Sequence, residues 1–452
     1  MVKVLEQLRN VAFWSLDAIK GGHIRKHCSE IRMVLKAPES DESRLTRENN
    51  LDRLLEHAVH TVPFYYAIEK RPYSLQDFPI VEKETIQKKF ELFRSEVHLN
   101  GYNHEVTTSG STGKPFKILQ NKDKRNRNTA DTFFFAQRAG FKLGSRLYYL
   151  RLWDKQYKKN RLLTLLQNIA AYSVDDLTEA NLAKLVHELE HSSSNKSLLA
   201  YTSALNTVSK YVEQQLGRSL HCKFDSIISI AEALNPGVKS RAEKYLGTEV
   251  VSRYSNSENG ILAQQKVNDG TGNFEINWAS YHVELLDLNE DKPARPGETG
   301  RIVITDLFNY SMPMIRYDTG DVGVMDYDPE KQAIVFTKVE GRKMDMFTNT
   351  KGDYISSHII HHILQFKGIE QFQFIEEEDG DYTIKLKVSP LYDRNDEGRI
   401  RNKYMEYFGE DAIIHVEYVD DIPLLPSGKR KLVINKNKGA IKQSSPQLSP
   451  KI

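Results

Sequence analysis

The chain has 452 residues, of which 39% are hydrophobic and 27% charged, with 63 basic against 61 acidic side chains and a net charge of +2. That length calls for two or three domains whose cores need no staples, and the composition excludes a disordered or membrane-spanning protein. The near-neutral charge gives no footprint for nucleic acid, and two distant cysteines, Cys28 and Cys222, make neither a disulfide framework nor a zinc motif, so a reducing, cytoplasmic setting is expected.

In chain order, residues 3–20 predict an amphipathic helix with Val4, Leu5, Leu8, Val11, Ala12 and Leu16 at helical spacing. Residues 1–37 carry seven basic side chains (Lys3, Arg9, Lys20, Arg25, Lys26, Arg32, Lys36) against Glu6, Asp17 and Glu30, a net charge of +4. Such a helix either packs on a core or lies on an anionic membrane, so any membrane contact is at most peripheral. No run of 18 apolar residues and no small-residue cleavage site follows it, so neither a spanning helix nor a secretory leader is expected. His23, His27 and Cys28 read as surface residues, and residues 38–50 as a polar loop before helical periodicity resumes over 50–70.

Further on, strands are expected at 116–119, 147–150, 198–201, 226–230 and 249–252, with a long helix over 122–140 and helices between the later strands. That alternation predicts an α/β core with parallel strands. From 280 to 340, short strands at 282–286, 300–305 and 334–338 between Gly, Pro and Asp turns predict an antiparallel or barrel-like subdomain. After Gly341-Arg342 a small α+β unit is expected: a helix over about 356–367, a hairpin turning at Asp379-Gly380, a helix over 393–408 and a strand over 413–418. Residues 436–452, rich in Lys, Ser, Pro and Gln, predict a disordered tail.

The most informative stretch is Thr107-Thr108-Ser109-Gly110-Ser111-Thr112-Gly113-Lys114-Pro115. Glycines let successive N–H groups point into one concavity, hydroxyls add donors and Lys114 adds a charge, which together suit phosphate. The GxxxxGK loop that ends in Ser or Thr does not fit, because Thr108 stands at its first glycine and Pro115 at its hydroxyl. The plain alternative is a flexible Ser/Gly turn.

Four further stretches follow in order: Tyr254-Ser255-Asn256-Ser257-Glu258-Asn259-Gly260 after a predicted strand, Arg316-Tyr317-Asp318-Thr319-Gly320-Asp321, Gly341-Arg342-Lys343-Met344-Asp345, and Pro426-Ser427-Gly428-Lys429. Each is weak alone. As an ordered set the five resemble the adenylate-forming superfamily of acyl-CoA synthetases, peptide-synthetase adenylation domains and luciferases. Pro313-Met314-Ile315-Arg316-Tyr317 is most similar to the phenylacetate–CoA ligase branch, which includes relatives associated with capsular polysaccharide synthesis. The resemblance covers about residues 50–435 and implies a large N-terminal adenylation domain over 1–340, whose first 50 residues are a helical extension. It implies a small mobile α+β domain over 341–435.

The implied reaction has two steps. A carboxylate attacks the α-phosphate of ATP, giving an acyl-adenylate and pyrophosphate, and an acceptor then takes the acyl group. The acceptor implied by the branch is CoA; an amine, for instance on a sugar, is the alternative, and a non-catalytic AMP-binding protein is the rival of another class. Bringing two anions together needs positive charge, which the resemblance assigns to Lys429. Glu258 would hold Mg²⁺ on phosphate oxygens, since magnesium takes one or two carboxylates plus phosphates. Asp321 would accept both ribose hydroxyls and Arg342 would donate to the ribose or phosphate edge. Tyr254 would stack on adenine, with Ser257 in the same motif and the backbone of Ala231 and Glu232 beside the base. Thr108, Ser109, Gly110, Ser111, Thr112, Gly113 and Lys114 would hold the leaving pyrophosphate. Three positions depart from the pattern: Met344 at the hinge, Asn256 for a bulkier apolar residue, and Asp318 for an arginine. Trp153 and the basic stretch Lys155, Lys158, Lys159 and Arg161 fall near where relatives line the acyl pocket, for which an aromatic acid is the branch default and a polar or anionic one the alternative; the plain reading of the stretch is a solvated loop.

Overall fold

The computed structural model describes residues 2–108, 116–153, 161–342, 347–352, 354–355, 359–360, 362–363, 366–378, 380–423 and 431–436. Its helices are α1 Val2–Ile19, α2 His23–Lys36, α3 Asp41–Thr61, α4 Lys83–Lys88, α5 Lys122–Arg138, α6 Arg161–Leu166, α7 Glu179–His191, α8 Thr202–Tyr211, α9 Pro236–Leu246 and α10 Asp396–Phe408. The strands are β1 Val81–Glu82, β2 His104–Thr108, β3 Phe116–Gln120, β4 Arg146–Arg151, β5 Ile169–Ser173, β6 Lys196–Tyr201, β7 Phe224–Ile230, β8 Val250–Asn256, β9 Gly260–Gln265 and β10 Phe274–Ile276. They continue with β11 Tyr281–Leu286, β12 Thr299–Asp306, β13 Tyr317–Asp328, β14 Ala333–Arg342, β15 Phe347–Thr348, β16 Tyr354–Ile355, β17 Ile369–Glu378, β18 Asp381–Val388, β19 Ile413–Tyr418 and β20 Val433–Asn435.

One sheet of 12 strands, ordered β11-β12-β13-β14-β10-β9-β8-β7-β6-β4-β5 with β1 beside β13, forms the backbone of the structure. Strands β5, β4, β6, β7 and β8 run parallel. The interior ones, such as Phe224–Ile230, are buried almost throughout, as helices on both faces require. Then the sense reverses, with β8/β9, β9/β10 and β10/β14 antiparallel. The strands expected over 280–340 therefore extend this sheet; they do not close a separate barrel.

Two other expectations change. Residues 38–50 are not a loop: α3 begins at Asp41, where Ser40 Oγ accepts from Ser43 N at 3.3 Å and Asp41 and Glu42 complement the positive helix end. It stops at Thr61, just before Pro63, rather than running on to 70. His27 and Cys28 are not on the surface. Helix α2 packs along α5, burying Cys28 and setting His27 Nε2 3.0 Å from Asp123 Oδ1.

The chain divides into two compact units. The first comprises Met1–Leu285, Pro293–Thr319 and Gly323–Val339; the second comprises Leu286–Lys292, Gly320–Val322 and Glu340–Ile452. The second has its own sheet, β19-β18-β17-β20, and its own core, in which Phe347, Phe374, Tyr382, Tyr404 and Phe408 pack as an aromatic cluster. The helix expected over 356–367 falls partly outside the described residues; within it Ile359, Ile360 and Ile363 are buried. The tail expected over 436–452 lies outside them from 437 on.

Candidate active site

The segment carrying Glu258 is a hairpin turn rather than an exit from a strand into a helix. Strands β8 and β9 pair antiparallel, and the register closes on Asn256 opposite Gly260. Asn256 explains the departure from the family pattern: its Oδ1 accepts from Asn259 N at 2.9 Å and from Asn259 Nδ2 at 3.1 Å, closing the turn from inside. Gly260 has φ 118°, and a Cβ there would stand 2.9 Å from Asn128 Oδ1 and 3.1 Å from Tyr281 Oη, so any side chain at this position would be strained and would displace that network.

Buried side chains grip this turn from behind. Gln120 Nε2 donates to the Glu258 carbonyl at 2.9 Å, and Asn128 Nδ2 donates to Gln120 Oε1 at 3.3 Å. Tyr281 Oη donates to the Asn259 carbonyl at 2.7 Å and accepts from Lys124 Nζ at 3.1 Å. Burial, with Asp306 and Asp131 nearby, pushes the Tyr281 phenol well above its usual range, so it stays a donor. Lys124 Nζ lies 2.6 Å from Asp306 Oδ2 with both side chains fully buried, a close charge contact. On the same helix Arg127 donates to Ser280 Oγ, the Ala279 carbonyl and Glu30, and Ser280 Oγ in turn donates to Asp131.

The Glu258 side chain is 9% exposed, and its Oε1 accepts from Tyr317 Oη at 3.0 Å. The Tyr317 ring is itself buried and stacks on Phe116 at 6.2 Å and 17°. Phe116 is the first residue after the hydroxyl-rich loop, and Tyr317 opens the strand that bears Asp318-Thr319-Gly320-Asp321. Two motifs that lie far apart in the chain, those of Glu258 and Tyr317, therefore meet at one carboxylate, and the strand that follows the hydroxyl-rich loop packs beside them. Glu258 Oε2 has no hydrogen-bond partner among the described residues. Among the described residues no cluster of three metal-ligating side chains exists. A single protein carboxylate would suit Mg²⁺, which takes most of its ligands from phosphate and water, and does not fit an ion held by a dedicated protein cage.

Just before β13, Arg316 takes φ 49°, held by a hydrogen bond from its N–H to Thr305 Oγ1 and by its guanidinium on Glu284 at 2.9 and 3.1 Å. Asp318 pairs with Arg301 at 2.7 Å, both nearly buried, which gives the carboxylate at the usual arginine position a local partner. Thr319 Oγ1 donates to the Ile302 carbonyl at 2.9 Å and lies 3.5 Å from Tyr254 Oη, whose ring meets Phe336 edge-on. Asp321 lies two residues further along the same strand.

Ala231, directly after β7, takes φ 71°, a strained value for a residue with a Cβ. Glu232 serves the fold: its carboxylate accepts from Ser203 N at 2.7 Å and Ser203 Oγ at 3.3 Å, and its carbonyl accepts from Thr202 Oγ1 at 2.9 Å. It thereby satisfies the start of α8, which has no cap of its own. Ser257 sits in the turn. Thr108 ends β2, opposite Phe116. Ser109, Gly110, Ser111, Thr112, Gly113, Lys114, Met344 and Lys429 lie outside the described residues, as do Lys155, Lys158 and Lys159; the same holds for the side chains of Thr108, Arg161 and Arg342. Trp153 is tied down, its indole N–H donating to the Tyr172 carbonyl at 3.2 Å.

Sequence reasoning missed Gln120, Lys124, Asn128, Tyr281 and the Tyr317 hydroxyl. A signal existed for α5: Lys124, Arg127 and Asp131 share one face of a helix whose apolar residues flank them, which a solvated face would not need. It also missed Arg253, next to Tyr254. That side chain is buried, Nε donates to Gln264 Oε1 at 2.7 Å, Nη2 has no partner among the described residues, and desolvation lowers its pKa to about 10.

Residues 346–436 match the family model described as CapK C-terminal domain. Protein CapK of Staphylococcus aureus is 23% identical over 350 residues, 73% of this chain and 74% of the relative. Among solved structures, 2-hydroxyisobutyryl-CoA ligase in the postadenylation state with R3-HIB-AMP superimposes with a TM-score of 0.69 at 17% identity, over 90% of this chain and 91% of the other. The chain has the adenylate-forming fold. The same fold relates it to ATP-bound MatB from Rhodopseudomonas palustris, with a TM-score of 0.52 at 14% identity over 72% of this chain and 66% of the other. It also relates it to an amide bond synthetase from Marinactinospora thermotolerans, with 0.53 at 14% over 70% and 65%. Within the adenylate-forming fold, the expectation of a parallel α/β core followed by a separate α+β unit with its own sheet holds.

Proposed function

We propose that the chain uses ATP to activate a carboxylic acid as an acyl-adenylate, releasing pyrophosphate, and passes the acyl group to CoA. The observation that supports this most is the meeting at Glu258: its carboxylate is held by the strand of the Asp-Thr-Gly-Asp motif, and its backbone by the strand that follows the hydroxyl-rich loop. Such convergence serves a bound polyphosphate better than it serves stability, since one carboxylate oxygen is left without a partner among the described residues. Glu258 Oε2 would hold Mg²⁺, which supplies positive charge to the phosphates. Asp321 accepts the ribose hydroxyls, and Tyr254, braced edge-on by Phe336, stacks on adenine. Residues 109–114 receive the departing pyrophosphate. Lys429, from a mobile C-terminal domain, sits between the carboxylate and the α-phosphate and offsets their repulsion.

A second reading ends on an amine instead of a thiol. It is favoured by one structural neighbour, an amide bond synthetase by its name, and by Met344 where family members place a polar hinge residue. Pyrophosphate exchange into ATP, run over a panel of carboxylic acids, tests the first half-reaction; CoA against amino sugars in a coupled assay separates the acceptors. Lys429→Ala abolishes exchange while nucleotide binding survives. Normal exchange in that variant removes the lysine from its role, and no exchange with any acid in the wild type favours a non-catalytic AMP-binding protein.

A further inference from the structure

Helix α1 is mounted with its polar side inward. Glu6 and Asp17 are its two buried residues. The Glu6 carboxylate accepts from Asn195 N at 3.0 Å and Asn195 Nδ2 at 2.7 Å. Asp17 accepts from Ile24 N and Arg25 N, both at 3.0 Å, and so caps α2 in place of Gly22, which has no side chain to do it. The seat is close: a Cβ on Gly144 would lie 2.1 Å from the Glu6 carbonyl oxygen. Phe13 packs edge-on against Phe133 at 4.6 Å on the same inward side.

The apolar side therefore faces solvent. Val4, Leu5, Leu8, Val11, Leu16 and Ile19 are between 45% and 81% exposed. They fall on one face of the helix, a stripe about 22 Å long at 1.5 Å per residue. Proteins that stay monomeric in water rarely leave such a stripe uncovered. Seated by buried carboxylate hydrogen bonds, the helix is held in this orientation and is not a core element that failed to dock.

The charges decide what covers it. The three acids of residues 2–37 are all spent internally: Glu6 and Asp17 as above, and Glu30 on Arg127 at 2.9 Å and Asn50 at 3.3 Å. The exposed charged side chains there are Lys3, Lys20, Arg25, Lys26, Arg32 and Lys36, all basic, and none forms an ion pair among the described residues. A second copy of this face would bring like charges together, whereas an anionic lipid surface satisfies both features at once. We propose that α1 and α2 dock the protein on an anionic membrane, with α1 lying in the headgroup layer and its apolar stripe turned toward the acyl chains. No described helix is long and apolar enough to cross a membrane, so the contact is in the plane.

The test is co-sedimentation of the full chain with vesicles of phosphatidylcholine alone and with about a quarter phosphatidylglycerol, at low and high salt. Binding is expected to the anionic vesicles, at least about tenfold weaker to neutral ones, and weakened by salt. The double variant Leu8→Glu/Leu16→Glu alters exposed positions, so its thermal midpoint stays at the wild-type value while vesicle binding falls at least about tenfold. Lys26→Glu/Arg32→Glu weakens binding and flattens its salt dependence. The proposal is overturned by absence of binding to anionic vesicles, by wild-type binding in both variants, or by a wild-type dimer in light scattering that Leu8→Glu/Leu16→Glu converts to a monomer. The readout does not depend on adenylation, so it stands or falls apart from the proposed activity.

Discussion

Replacing Lys124 by Met tests whether the buried network behind Glu258 is held by charge. Lys124 and Asp306 are both fully buried and 2.6 Å apart. Without the ammonium, the Asp306 carboxylate keeps a single hydrogen bond among the described residues, from Phe308 N to Oδ1 at 3.1 Å, and stays fully buried. Stranding one member of such a pair costs about 3–5 kcal/mol. Asp306→Leu leaves Lys124 the Tyr281 hydroxyl and the nearby Asp131 charge, so its loss lies at the lower end of that range. The double variant removes both charges; what remains is the lost grip on Tyr281, about 1–2 kcal/mol. The two single losses therefore exceed the double loss by roughly 4 kcal/mol or more, a coupling measurable in a double-mutant cycle. Equilibrium urea unfolding followed by tryptophan fluorescence reads it cleanly, because Trp14, Trp153 and Trp278 all belong to the first unit. If Lys124→Met costs under about 1 kcal/mol, or the double variant loses the sum of the singles, the pair does not anchor the turn.

Glu258→Gln keeps an oxygen for Tyr317 but removes the charge, so pyrophosphate exchange should fall about 100-fold with stability changed by less than about 1 kcal/mol; undiminished exchange would exclude a role at the cation. Asp321→Ala should weaken ATP binding about 10- to 100-fold by calorimetry, and unchanged affinity would count against the ribose assignment. Glu190 tests pH dependence in a different place. Its carboxylate accepts from Arg218 at 2.7 and 3.3 Å and from His221 N at 2.8 Å, which holds its pKa down from 4.5 to about 2. A carboxyl with a lowered folded pKa stabilises above its unfolded value and loses that contribution as pH falls from about 4.5 toward 2. Because Arg218 is 40% exposed, about 1–2 kcal/mol is expected at pH 7. Urea unfolding should show that gap between wild type and Glu190→Gln, narrowing at pH 3; a gap that widens on acidification contradicts the assignment.

What was legible in the sequence was decided by burial on both sides or by a local rule. Strands such as Phe224–Ile230 carry Phe224, Ile227, Ile228 and Ile230 in seven residues because helices cover both their faces, and α9 announces itself with Asn235, Pro236 and Gly247 at its two ends. What was not legible depended on partners distant in the chain. The stretch 38–50 is charged enough to pass for a loop, since the face that α3 buries there is narrow and polar, with Ser43 and Asn50. Helix α5 is polar overall, yet its Lys124, Arg127 and Asp131 are buried against residues about 150 positions away. At Glu258 the residue type was readable, but the Tyr317 hydroxyl and the Gln120 amide that orient it were not.

Helix α1 shows the limit most sharply. Apolar periodicity says that a helix has two unlike sides; it does not say which one meets the protein. The answer here lies in Asn195 and in the amides of Ile24 and Arg25, which claim the two carboxylates that an ordinary surface helix would hand to water. Once those acids turn inward, the outward face of residues 2–37 has no negative charge left. The same two carboxylates therefore both fix the helix in place and set the electrostatic sign of the surface it presents.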